Sequence, residues 1–97
     1  FVMLTRVDPE VLSNAQSLEK REQRAAKSIR TQCPKVKWIS NYAVLGPYDY
    51  VDIFEAPDND TAAKVSTLIR VSGHAHSEVW PATEWAKFKT MIHAMPA

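Results

Sequence analysis

Apolar residues recur along the chain in two rhythms, every second position and every third or fourth, and the switches between them mark out the elements. Phe1-Val2-Met3-Leu4-Thr5-Arg6-Val7 predicts a first strand, with Val2 and Leu4 on one face and Phe1, Met3 and Thr5 on the other. Asp8-Pro9-Glu10 reads as a helix start, because Asp8 can cap free amides and Pro9 sits where its missing N–H costs nothing. Asn14 and Ser17 interrupt that pattern. A longer helix is expected from about Ser17 to Gln32, with Leu18, Ala25, Ala26, Ile29 and Cys33 near one face and Pro34 as its stop. A second strand, Val36 to Leu45, is closed by the turn signal Gly46-Pro47, and Tyr50 to Ala56 forms a third, so the two make a hairpin. Pro57-Asp58-Asn59-Asp60 supplies N-caps for a helix with Ala62, Val65, Leu68 and Ile69 on one stripe and Gly73 at its end. His74 to Trp80 alternates again as strand four. A last amphipathic helix, about residues 83–95, carries Trp85, Phe88, Ile92 and Met95 on one side.

Strand, helix, strand, strand, helix, strand is the split βαβ, ferredoxin-like order, so the predicted fold is α+β with a four-stranded antiparallel sheet plus a C-terminal helix, in one domain spanning residues 1–97. Right-handed crossovers put both central helices on the same face of the sheet. The aliphatic row Val2, Leu4, Ile39, Ala43, Leu45, Val51, Ile53, Ala75 and Val79 is assigned to that covered side. Met3, Thr5, Trp38, Ser40, Tyr42, Val44, Tyr50, Asp52, Phe54, His74, His76, Glu78 and Trp80 are assigned to the bare side. So much aromatic surface exceeds what monomers usually expose, which predicts a homodimer packed sheet to sheet around a cavity, with larger assemblies open. The alternative is a C-terminal helix folded back over the bare face.

Composition narrows the function classes. Hydrophobic residues make up 45% and charged residues 24%, the balance of a globular domain, and 12 Lys and Arg against 11 Asp and Glu give a net charge of +1. That leaves no electrostatic footprint for nucleic acid or an anionic membrane, and no apolar run is long enough to span a bilayer. The single cysteine, Cys33, makes no internal disulfide and fits a cytoplasmic protein. The chain opens on Phe1 and not on Met, which leaves open whether residues precede it.

Three segments carry a family resemblance: Val2-Met3-Leu4-Thr5-Arg6, the hairpin Tyr42-Ala43-Val44-Leu45-Gly46-Pro47-Tyr48-Asp49 with its Gly-x-Tyr-Asp pattern, and Ile53-Phe54-Glu55-Ala56-Pro57-Asp58. On these the chain resembles the GYD-domain family of small, mostly bacterial proteins of unknown function, from Phe1 to about Trp80. The resemblance implies the dimeric α/β-barrel architecture. It implies no chemistry, because that architecture hosts monooxygenases, isomerases, haem enzymes and ligand-sensing domains.

The residues offer several sites. His74 and His76 are two apart in a strand, about 6.5 Å along the backbone, and Glu78 extends the row, which makes the three weak candidates for a metal; the expected reading is a polar seam or pocket wall with no metal. In the turn motif Gly46, Tyr48 and Asp49, a phenol and a carboxylate stand together, yet Asp is also what a tight turn uses to bond its own backbone. Asp52 in mid-strand either faces a cavity or meets a cation, and burial should raise its pKa. The expected ligand pocket is therefore Trp38, Tyr42, Asp52, Phe54, His74, His76, Glu78 and Trp80, enclosed by the dimer's sheets. The function expected is small-molecule binding, with cofactor-independent oxygenase or isomerase chemistry through His76, Asp52 and Tyr42 as its catalytic form and no tightly bound cofactor. The alternative is a non-catalytic oligomerisation domain. Phosphate loops, zinc-finger spacings and a Ser-His-Asp order are missing from the sequence.

Overall fold

Local chemistry sets the element boundaries in the computed structural model, which describes residues 1–12, 14–73 and 75–96. Asn14 starts a helix where the sequence pattern suggested a break. Its Oδ1 accepts from the amides of Gln16 and Ser17 at 3.0 and 3.2 Å, so Asn14 is an N-cap and Ser17 lies inside the first turn. Asp58 does the same for the next long helix, accepting from the Thr61 amide at 2.7 Å. The hydrogen bonds from Thr61 hold the Asp58 carboxyl below the usual carboxylate range.

The resulting order is β1 (Val2–Val7), α1 (Pro9–Leu12), α2 (Ala15–Gln32), β2 (Lys37–Ala43), β3 (Tyr50–Glu55), α3 (Asn59–Gly73), β4 (Ala75–Trp80) and α4 (Trp85–Ala94). The strands form one antiparallel sheet in the order β2-β3-β1-β4, so the chain has the expected ferredoxin-like α+β architecture with a C-terminal helix. One face is covered by α2 and α3 around a core of Met3, Ile29, Cys33, Phe54, Ala62 and Val65. Buried Ser66 and Ser77 lock α3 to β4, their hydroxyls 2.6 Å apart, and the Arg70 guanidinium donates to the Ser77 carbonyl at 2.6 Å.

Register decides which side chains share a face, because paired residues in antiparallel strands point the same way. Met3 pairs with Asp52 and Val79, and Thr5 with Tyr50 and Ser77, all in the row of buried Phe54 and Ser77 under the helices. Val2 pairs with Ile53 and Trp80, and Leu4 with Val51 and Glu78, on the open side. The expected assignment is thus reversed for β1 and β3: Met3, Thr5, Tyr50, Asp52 and Phe54 are covered, and Val2, Leu4, Val51 and Ile53 are open. It holds for β4, where Ala75 and Val79 are covered and His76, Glu78 and Trp80 are open. In β2 a register shift between Trp38 and Ser40 resets the alternation. Trp38 pairs with Phe54 on the covered side, their rings 5.3 Å apart, whereas Ser40 and Tyr42 pair with Ile53 and Val51 on the open side, as expected. Ile39 and Leu45, expected under the helices, are exposed at the bulge and in the turn.

The C-terminal helix stands apart. None of its residues is buried, and the whole of residues 81–96 is exposed. The radius of gyration is 15.4 Å, against about 12.5 Å for a compact chain of this length. The alternative in which α4 folds back over the open sheet face is not the arrangement adopted.

Candidate functional site

Between α2 and the covered face of β1, β2 and β3 lies a cleft of about 490 Å³. Ala25 and Ala26 of α2 line it with side chains too small to fill the gap, and Met3, Ile29 and Trp38 line it with apolar surface. Polar groups reach it from three strands. Asp52 accepts a 2.8 Å hydrogen bond at Oδ1 from Asn41, the residue opposite it in the register. Thr5 is 5% exposed and lines the same cleft, and its Oγ1 has no hydrogen-bond partner among the described residues. Such a buried, unsatisfied hydroxyl is uncommon enough to ask for an explanation.

The electrostatics of the cleft are one-sided at Asp52. Burial pushes its carboxyl above the usual carboxylate range, the Asn41 hydrogen bond opposes this, and the Glu22 carboxylate on α2 raises it further. Burial also raises the Tyr50 phenol, followed by the carboxylates of Glu22, Asp49 and Asp52. A half-buried carboxyl with a raised pKa beside an apolar cavity can exchange a proton or hold a polar ligand group.

A second group of polar residues gathers at one end of the open face. The Tyr48 hydroxyl donates to Glu78 on β4, reaching across β1, and the Arg6 guanidinium lies 5.8 Å from the Tyr48 ring centre. Donation to Glu78 holds the Tyr48 phenol above its ordinary range. Arg6 and His76 are cross-strand partners on the same face. The neighbouring Asp49 serves the backbone instead. Its Oδ2 accepts from the Val7 amide at 2.7 Å, and its own amide donates to the Thr5 carbonyl at 2.8 Å. Those bonds tie the β2–β3 turn to the end of β1. A Cβ at Gly46 meets no atom within 4 Å, so close packing does not account for that glycine.

The residues expected to form one pocket are therefore divided by the sheet. Trp38, Asp52 and Phe54 are on the covered side, with Trp38 and Asp52 lining the cleft and Phe54 fully buried in the core. His76, Glu78 and Trp80 are on the open side; Tyr42 shares that side by its pairing with Val51 but also contributes to the lining of the cleft at its β2 edge. His74 lies outside the described residues. Among the described residues, no group of three His, Cys, Asp or Glu is arranged to hold a metal ion. Thr5, Asn41 and Glu22 were missed. The signal for them was Arg6, which shares a row with Leu4 and so marks that row as the open one; correcting the parity of β1 and β3 puts Thr5 and Asp52 under α2 and Asn41 beside Asp52.

The family profile of the GYD domain matches residues 1–92. The chain belongs to the GYD domain family. No curated protein and no solved structure gives a significant match to it. The match runs past Trp80, where the resemblance read from motifs stopped, and takes in most of α4. In this GYD domain the Tyr and Asp of the family pattern part company: Asp49 fastens the turn to β1, while Tyr48 crosses the open face to β4. No helix among the described residues is long and apolar enough to cross a membrane.

Proposed function

We propose that this GYD domain is a small-molecule-binding module that works as a homodimer and seats its ligand in the cleft beneath α2. The observation that carries the reading is the coincidence, in one cleft of about 490 Å³, of apolar walls with three polar residues, Asp52, Asn41 and Thr5, the last with a hydroxyl that has no partner among the described residues. That volume and mixture are those of ordinary ligand sites. Asp52 is the group best suited to proton transfer, since burial moves its carboxyl toward neutral pH, and this suits the cofactor-independent oxygenase or isomerase form of the reading. The homodimer is supported by the open face, where Val2, Leu4, Val51 and Ile53 are only half-covered and Tyr42 and Trp80 are 56% and 52% exposed. A single cysteine, buried in the core, suits a reducing cytoplasm.

A second reading, a non-catalytic oligomerisation domain, is favoured by the same open face together with the exposed Trp85, Phe88, Ile92 and Met95 of α4. A fragment screen read by thermal shift separates the two. Fragments are expected to raise the melting temperature of the wild-type protein and not that of Ala26→Phe, which fills the cleft. A folded wild-type protein that responds to none of them, or responds equally in Ala26→Phe, leaves the oligomerisation reading.

A further inference from the structure

The groups that line the cleft also restrict the charge of what it takes. Asn41 donates to Oδ1 of Asp52, no other described residue donates to its Oδ2, and Thr5, whose Oγ1 has no partner among the described residues, lines the same cleft. The charged neighbour that acts on Asp52 is another carboxylate, Glu22, which also lines the cleft. Two guanidinium groups line the cleft as well. Arg21 donates from Nε to Ser17 Oγ at 3.4 Å, one turn back along α2, and Arg30 is an exposed residue of the last turn. Among the described residues, Asp52 has no cationic partner. A half-buried carboxylate in that position is costly unless something positive or donating meets it.

Resting on the cleft as the ligand site, we propose that its occupant is a compact organic cation, a primary amine on an aromatic or branched apolar body, with the ammonium against Asp52 and Thr5 and the body between Ile29, Met3 and Trp38. An ammonium brings three N–H donors and no acceptor. It therefore suits an inner wall that offers Asp52 Oδ2 and Thr5 Oγ1 as acceptors. A carboxylate ligand of the same body would bring a third negative charge to Asp52 and Glu22. A neutral alcohol would gain the apolar contacts alone. Trp38, at the cleft and packed at a tilt of 56° against Phe54, adds an aromatic face of the kind that attracts cations.

Three probes with one body test the charge: 2-phenylethylamine, 2-phenylethanol and phenylacetate, titrated into the full chain at neutral pH and followed through the methyl signals of Met3, Ala25 and Ile29. The amine is expected to bind at least about tenfold more tightly than phenylacetate, with the alcohol between them. Asp52→Asn, nearly isosteric, should bring the amine to the level of the alcohol, and Glu22→Gln on the exposed side of α2, where folding is not at risk, should weaken the amine about threefold. Equal or tighter binding of phenylacetate overturns the cationic class and leaves the cleft as the site. Amine binding unchanged in Glu22→Gln and in folded Asp52→Asn overturns it in the same way. If none of the three probes shifts the cleft methyls, the class and the cleft reading fall together.

Discussion

The two faces of the sheet use apolar residues to different ends. Under the helices, Met3, Phe54 and Val65 are fully buried and each is held by neighbours on several elements, so the face is a core that happens to include a cleft. On the open side, Val2, Leu4, Val51 and Ile53 form an equally apolar row that no described element covers, rimmed by Tyr42, Trp80 and the Tyr48–Glu78–Arg6 group. The polar residues are divided just as unevenly. Asp52 and Thr5 sit among core side chains and pay in desolvation for a place at the cleft, whereas Arg6, His76 and Glu78 stand on a surface. Hydrophobicity alone does not distinguish the covered face from the open one; the difference lies in which polar groups each one holds and how they are satisfied.

The contrast is sharpened most by truncating one large side chain on each face. Phe54→Ala should cost about 3–5 kcal/mol in denaturant unfolding, whatever the protein concentration. Ile53→Ala, one residue away on the open side, should cost less at low concentration, and its effect should grow as the protein is concentrated if the face associates. An equal, concentration-independent loss at both positions would mean that the faces are equivalent.

Next in size is Val51→Asp. A charge at the centre of the proposed association face has no partner, so sedimentation should show the proposed homodimer replaced by a monomer that keeps its circular dichroism spectrum. A wild-type protein that is already monomeric at micromolar concentration would break the account of the open face.

Smaller effects come from titration. Asp52 has its pKa raised on folding, so the folded state binds the proton more tightly than the unfolded one and stability falls as pH rises from the ordinary carboxylate range through the raised value. Asp52→Asn should remove that fall. Asp58 is the opposite case, since its lowered pKa gives stability that is present above the unfolded value and lost as pH drops through it. Asp58→Asn should flatten the acid limb of the melting curve by a few degrees. Tyr48 donates to Glu78 and has a raised pKa, so that contribution is complete below about 10, the ordinary phenol value, and is lost as pH rises through the folded one. Tyr48→Phe should remove this alkaline loss and leave the turn intact, because Asp49 holds the turn to Val7 by itself.

The fold was legible in the sequence because its signals were redundant. Gly46-Pro47 marked the hairpin, Asp58 marked the start of α3, and the order of periodicities left one architecture. The site was only half legible. In β1 and β3 both rows carry large apolar residues, so alternation could not say which row met the helices, and the polar Asp52 and Thr5 argued for the wrong side because they serve a cleft and not a surface. In β2 the extra residue Ile39 moved Trp38 across the sheet from Tyr42, and nothing in a strict two-residue rhythm announces a bulge. In β4 the row His76, Glu78 and Trp80 was placed correctly because its alternate Ala75, Ser77 and Val79 are small and uncharged. Asn14 shows the same difficulty on a helix: a residue that weakens a helix interior is also the best way to begin one.

The central claim, that ligand binding and self-association belong to opposite faces, is tested most directly by methyl spectra of the full chain with and without a bound amine. The account predicts shifts at Met3, Ala25 and Ile29 on adding 2-phenylethylamine, with Leu4, Val51 and Ile53 unmoved, and shifts at the second group alone on diluting the protein. Amine-induced shifts confined to Leu4, Val51 and Ile53 would contradict it and return the ligand to the space between two sheets.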